Sequence, residues 1–248
     1  MTDRQQNLNR FHEITPVILA GGKGTRLRSV VSDRPKALAQ VNGRPFLSVL
    51  LDQLLAFGFQ RVVLCVGYRS DQIIDTFGST YQSLDIIYSR ETVPLGTGGA
   101  ILSALPMIAT SYFLIHNGDS FIPYDLNAFT SYLKRKKAEG GLIASYRENG
   151  SSCGQIIFNP DQRITGFMEK SSQAAGWVNA GIYLIPRNWF AGYIAGKPYS
   201  MEFDFLPGWT TRKFYAFRSR NPFIDIGTPE SYRSCEQYFS SPILRGCV

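Results

Sequence analysis

Apolar and polar positions follow one another along this chain in two rhythms. Val17–Ala20 is a short, continuous apolar run that stops at Gly21-Gly22, as a strand buried on both faces does. Phe46–Phe57 carries Phe46, Leu47, Leu50, Leu51, Leu54 and Leu55 at helical spacing and stops at Gly58, so it reads as a helix. The alternation continues with a strand at Arg61–Val66, a helix at Ser70–Phe77, a strand at Leu84–Tyr88, a helix at Gly98–Leu105 halted by Pro106, a strand at Tyr112–His116 and a helix at Asp125–Lys137. This repetition predicts a mostly parallel, Rossmann-like sheet with helices on both faces. In such sheets ligands bind beyond the carboxyl ends of the strands. The second half changes style. Gly141–Ser145, Gly154–Asn159, Ile164–Met168 and Val178–Ile185 are strand-like with turns between them, which predicts antiparallel additions. Helices are expected near Met201–Leu206 and Glu230–Tyr238. With no internal repeat and no linker, the reading is an α/β fold in a single domain over 16–240, preceded by a polar extension at 1–15 and followed by a tail at 241–248.

Composition narrows this only a little. The 248 residues are 44% apolar and 13% aromatic, which supports a core and excludes general disorder. Only 18% are charged, far too few for a coiled coil. The net charge of +7 suits an anionic partner such as a nucleotide, a sugar phosphate, nucleic acid or a membrane surface, and equally an ordinary basic surface. The densest basic patch, Lys134-Arg135-Lys136-Lys137, fits the carboxyl end of a helix. Cys65, Cys153, Cys235 and Cys247 lie far apart, which argues against a structural zinc site and against a disulfide framework. The polar first 16 residues and the lack of an 18-residue apolar stretch imply no secretory signal and no membrane span, hence a cytoplasmic location.

Candidate chemistry concentrates in the loop Leu19-Ala20-Gly21-Gly22-Lys23-Gly24-Thr25-Arg26-Leu27. Three glycines after a strand let backbone N–H groups approach a polyphosphate, and Arg26 can grip its oxygens. The dinucleotide fingerprint fails because Leu27 stands where a glycine is needed, and the spacing of a P-loop is absent. The plainer alternative is an ordinary glycine-rich turn. Together with Pro35-Lys36, this loop resembles the signature of the sugar-phosphate nucleotidyltransferases. Pro94-Leu95-Gly96-Thr97-Gly98-Gly99-Ala100, Asn117-Gly118-Asp119, Glu169-Lys170, Asn179-Ala180-Gly181 and Phe223-Ile224-Asp225-Ile226-Gly227-Thr228-Pro229 are similar to its further motifs, in family order, along nearly the whole chain.

The resemblance implies a glycosyltransferase-A-like fold and the transfer of a nucleoside monophosphate from an NTP to a sugar 1-phosphate, with release of pyrophosphate. The residues fit that chemistry. The attacking phosphate oxygen is already ionised, so cations and a metal matter more than a general base. By resemblance, Arg26, Lys36 and Lys170 are the catalytic cations, and Asp119 and Asp225 hold Mg²⁺, which requires their carboxylates to approach within roughly 6 Å. Leu19, Ala20, Gly21, Gly22, Gly24, Thr25, Gly67, Gly96, Thr97 and Gly98 would bind the nucleotide, with Glu91 a candidate for guanine. Gly154, Glu169 and Asn179 would bind the sugar, and Gln155 stands where relatives often differ. Rival readings stay open: Asp119 as a helix cap, Lys36 as a surface lysine, His116 as a core residue rather than a catalyst. The nearest likeness implies GTP and D-glycero-α-D-manno-heptose 1-phosphate as substrates. Mannose, glucose or N-acetylmuramate 1-phosphate with GTP, UTP or CTP is the alternative, and a non-catalytic regulatory subunit is the second. Partners are expected to be small molecules rather than nucleic acid or membrane. With 23 residues after Asp225 there is no room for the β-helix that some relatives carry, so any homodimer would use the catalytic domain.

Overall fold

The computed structural model describes residues 11–148, 154–168 and 175–239. Its centre is a ten-stranded sheet. The strands β1 (Ile14–Leu19), β4 (Arg61–Val66), β6 (Leu84–Arg90) and β7 (Tyr112–Asn117) run parallel in the order β7-β1-β4-β6. Two short hairpin strands, β2 (Gln40–Val41) and β3 (Arg44–Pro45), lead into helix α1 (Phe46–Ala56), while β5 (Thr80–Tyr81) pairs with β6 at the sheet edge. The crossovers are α1, α2 (Ser70–Phe77) and α3 (Gly96–Ala104), and α4 (Leu126–Arg135) follows β7 after the short strand β8 (Ser120–Phe121). Side chains of successive residues go to opposite faces. Val62, Leu64 and Val66 join the core under α1, α2 and α4, whereas Val63 and Cys65 join the core under α3. A continuous apolar run with helices on both faces is what parallel strands need.

The second half extends the sheet past β7. The strands β10 (Gln155–Phe158), β11 (Ile164–Met168) and β12 (Gly176–Pro186) add antiparallel, as the turn-rich pattern predicts. Strand β9 (Gly140–Arg147) pairs with β12, and β13 (Phe214–Ser219) adds parallel to β9, a strand the sequence reading omits. The expected helix at Met201–Leu206 is instead a π-helical turn, Met201–Phe205, continued by the single turn α5 (Leu206–Trp209). Its support is aromatic: Trp189, Trp209, Phe190, Phe205 and Phe214 are buried against one another. Finally β14 (Ile224–Asp225) pairs with β8, and α6 (Pro229–Phe239) closes the described chain. No helix among the described residues is long and apolar enough to cross a membrane.

Candidate active site

The loops after β1, β4 and β7 meet at the carboxyl end of the sheet. The Ala20 N–H donates to the Cys65 carbonyl (2.8 Å), the Tyr68 N–H to Gly21 (3.2 Å) and the Gly118 N–H to Leu19 (3.0 Å). A Cβ on Gly118 would lie 2.5 Å from the Leu19 carbonyl oxygen, and one on Gly21 3.2 Å from the Gly67 nitrogen. Glycine is required where backbones come this close. The convergence encloses a cavity of about 630 Å³, lined among others by Leu19, Ala20, Gly21, Gly22, Lys23, Lys36, Gly67, Tyr68, Glu91, Gly96, Thr97, Asp119 and Glu202.

Seven of the expected nucleotide residues therefore face the cavity, and three do not: Gly24, Thr25 and Gly98. Thr25 opens the exposed 3-10 turn Thr25–Leu27 that also carries Arg26. Gly24 has φ +58°, and its Cβ position lies 3.1 Å from the Lys36 Cβ, so its small size seats the lysine stem. Gly98 is buried inside α3, where a Cβ would come within 2.8 Å of the Phe205 ring; its N–H donates to the Tyr199 carbonyl (2.8 Å). The Gly96–Gly99 motif thus serves packing as much as ligand approach. Thr97 Oγ1 accepts from the Met201 N–H (2.8 Å).

At one end of the cavity three motif residues come together. Lys36 Nζ lies 2.6 Å from Asp119 Oδ2 and 3.9 Å from Asp225 Oδ1. The β8–β14 pairing makes this possible, with Asp225 opposite Ser120 and the Ile226 N–H donating to the Asp119 carbonyl (2.9 Å). The Gly227 N–H holds Asp225 Oδ1 (2.5 Å), and a Cβ on Gly227 would lie 2.6 Å from that oxygen. Burial raises the Asp225 pKa, the Asp119 charge raises it further, and Lys36 and Arg26 oppose the shift. Lys36 is largely enclosed, with 12% of its side chain exposed, so it is no ordinary surface lysine. Asp119 is not the cap of the next helix, because Asp125 Oδ1 accepts from the Asn127 and Ala128 N–H groups instead. His116 is a buried core residue whose Nε2 meets the Tyr124 hydroxyl at 3.1 Å.

The sugar set is less concentrated. Glu169 and Lys170 lie outside the described residues. Gly154 and Asn179 do not line the cavity. The Gln155 side chain covers Gly176, where a Cβ would come within 2.7 Å of it. Asn179 Nδ2 donates to the buried Tyr183 hydroxyl (2.7 Å), while its Oδ1 accepts from the Gly181 N–H (3.0 Å). Gly181, at φ +73°, leaves room for Asn117, whose Nδ2 a Cβ there would approach to 2.6 Å. On the other side Glu91 is half-buried, its Oε2 accepting from the Leu95 N–H (3.3 Å), and burial raises its pKa. Glu202, to which sequence reasoning gave no role, also lines the cavity; it sits in the π-helical turn where a helix was expected.

Known proteins share this architecture. The D-glycero-α-D-manno-heptose 1-phosphate guanylyltransferase of Aneurinibacillus thermoaerophilus is 36% identical over 222 residues, 89% of this chain and 96% of its own. The enzyme of that name from Campylobacter jejuni is 33% identical over 216 residues, 87% of this chain and 96% of its own. The crystal structure of HddC from Yersinia pseudotuberculosis complexed with GMP-PN superposes with a TM-score of 0.80 at 36% identity, covering 91% of this chain and 99% of that one. The family described as Nucleotidyl transferase matches residues 15–240. A match of that extent, over the loops that build the cavity, means that the chain belongs to the nucleotidyl transferase family.

Proposed function

We propose that this protein transfers GMP from GTP to D-glycero-α-D-manno-heptose 1-phosphate, forming GDP-heptose and pyrophosphate. The observation that carries the reading is the convergence of Lys36, Asp119 and Asp225 at one end of a cavity floored by the Gly21-Gly22 loop. A phosphate oxygen of the sugar 1-phosphate attacks the α-phosphorus as the bond to pyrophosphate breaks. The nucleophile arrives ionised, so the work of the protein is alignment and charge neutralisation. Lys36 and Lys170 hold the reacting phosphates, and Arg26 the departing pyrophosphate. The guanine and heptose assignments rest on the likeness to the two guanylyltransferases. The guanine assignment is supported by the Glu91 carboxylate, an acceptor of the kind that guanine N1–H and N2–H₂ require.

A magnesium ion fits the donor set. Two carboxylates already converge on one ammonium. No group of three or more potential ligands exists among the described residues, so Asp119 and Asp225 would hold the ion together with substrate phosphate oxygens. The ion would supply charge neutralisation at the transferring phosphoryl group. The same reading makes the enzyme cytoplasmic and its product a donor for capsule or lipopolysaccharide assembly.

A pyrophosphate-release assay across four NTPs and a panel of sugar 1-phosphates tests the reading. The expected optimum is GTP with heptose 1-phosphate, abolished by EDTA and restored by Mg²⁺. Failure of that pair while another pair turns over would overturn the substrate assignment.

A further inference from the structure

Tyr68 stands at the boundary of two hollows. It lines the main cavity and also a cleft beside it, shared by Lys23, Arg28, Arg34 and Lys36. Two guanidinium groups lie over its ring, those of Arg28 and Arg69, each with Cζ 5.4 Å from the ring centre. The segments that carry them are tied together. The Tyr68 N–H donates to the Gly21 carbonyl (3.2 Å), and Gln72 Nε2 of α2 donates to the Asp33 carbonyl (3.2 Å).

Cations gathered in one place need counter-charges, and the nearby carboxylates are already engaged. Lys36 is matched by Asp119 and Asp225, Arg34 by Asp33 (2.6 Å), and Asp71 of α2 is taken by Arg90 (2.9 Å). No ion pair among the described residues includes Lys23, Arg28 or Arg69. Arg69 adds an independent sign. Its backbone lies at φ +51°, in the left-handed region where glycine is at ease and a side chain is strained. The turn holds it there, with the Ser70 N–H donating to the Gly67 carbonyl (3.1 Å) and the Gln72 N–H to the Arg69 carbonyl (3.1 Å). Such strain clusters at ligand clamps, where the side chain has a task. A guanidinium stacked on a ring uses its flat face, which leaves the in-plane N–H donors open to phosphate oxygens.

We propose that Arg28 and Arg69, with Lys23 beside them, form the subsite for the terminal phosphate of the nucleoside triphosphate and so set the preference for a triphosphate over shorter nucleotides. The inference rests on the functional reading above. Both arginines lie outside the motifs that carry the family likeness. After transfer the same phosphate is the outer half of pyrophosphate, so the subsite also holds the leaving group.

Titration calorimetry with GTP, GMP and inorganic pyrophosphate, each with Mg²⁺ and without sugar 1-phosphate, tests this on wild type, Arg28→Gln and Arg69→Gly. Each substitution should raise Kd for GTP and for pyrophosphate roughly tenfold and leave Kd for GMP within about twofold. Arg69→Gly should melt no lower than wild type, because glycine accepts the left-handed backbone; a lost contact is thereby separated from a lost fold. GTP should displace pyrophosphate. An equal penalty on GMP, no penalty on GTP, or pyrophosphate binding that saturating GTP leaves untouched overturns the proposal. If the wild type turns over no sugar 1-phosphate with any NTP, the functional reading fails by itself. The pyrophosphate titration still decides the role of the arginines, and equal affinities in wild type and both variants would reject it.

Discussion

If Asp225 serves the proposed reaction, it does so at the expense of stability. Its pKa lies above the ordinary 3.8 because burial, and then the Asp119 charge, disfavour the ionised form. The unfolded chain gives up this proton at lower pH than the folded one. Stability therefore falls as pH rises from about 3.8 through the raised value. Asp225→Asn can keep the bond from the Gly227 N–H while removing the charge. In EDTA at pH 7 we expect it to melt about 2–4 °C higher than wild type and to be inactive, with the gain vanishing below about pH 4. A thermal-shift series across pH measures this, and a lower melting point for the variant at pH 7 would show that the charge helps rather than harms the fold.

At the scale of elements, the segment between β7 and α4 must present Asp119 without drifting. Bonds further along the segment add to the β8–β14 pairing. Gln53 Nε2 of α1 donates to the Ile122 carbonyl (2.9 Å), Asn221 Nδ2 to Pro123 (2.7 Å), and His116 meets Tyr124 across the base of the segment (3.1 Å). Burial lowers the His116 pKa from 6.5 to about 3, so the folded ring stays neutral. The unfolded ring takes up a proton as pH falls below about 6.5, which favours unfolding until the folded ring also titrates near 3. His116→Gln keeps a polar partner for Tyr124 and does not titrate. Between pH 7 and 5 the wild type should lose about 2 kcal/mol more unfolding free energy than this variant, read from urea melts at each pH. Parallel curves for the two proteins would mean that the imidazole is accessible to protons in the native state.

For the whole molecule, the net charge of +7 acts at a distance on anionic substrates. Lys23 and Lys36 line the cavity, and Arg26 lies near enough to act on Asp225, so the local field adds to the global one. Raising ionic strength from about 0.05 to 0.5 M should lower kcat/KM several-fold through screening, with kcat changing less. A salt-independent kcat/KM would leave the basic excess as surface only.

Much of this architecture is legible along the chain. The alternation of apolar runs and helical spacings marks the parallel core, and the glycine-rich stops mark the cavity floor, because periodicity and backbone freedom are local properties. Strand β13 is not legible because its partner β9 lies far off in sequence, and the helix expected near Met201–Leu206 becomes a π-helical turn whose backbone is tied to α3 as well as to its own Ser200 and Asp204. The residue types at Lys36, Asp119 and Asp225 announce charge chemistry in the sequence alone. Only the fold decides that Lys36 meets an aspartate 83 residues away, that Gly98 makes room for Phe205 rather than for a ligand, and that Glu202 faces the cavity at all. The reason is physical: local sequence sets which elements form, whereas the meeting of distant side chains depends on the path by which those elements bury their apolar faces together.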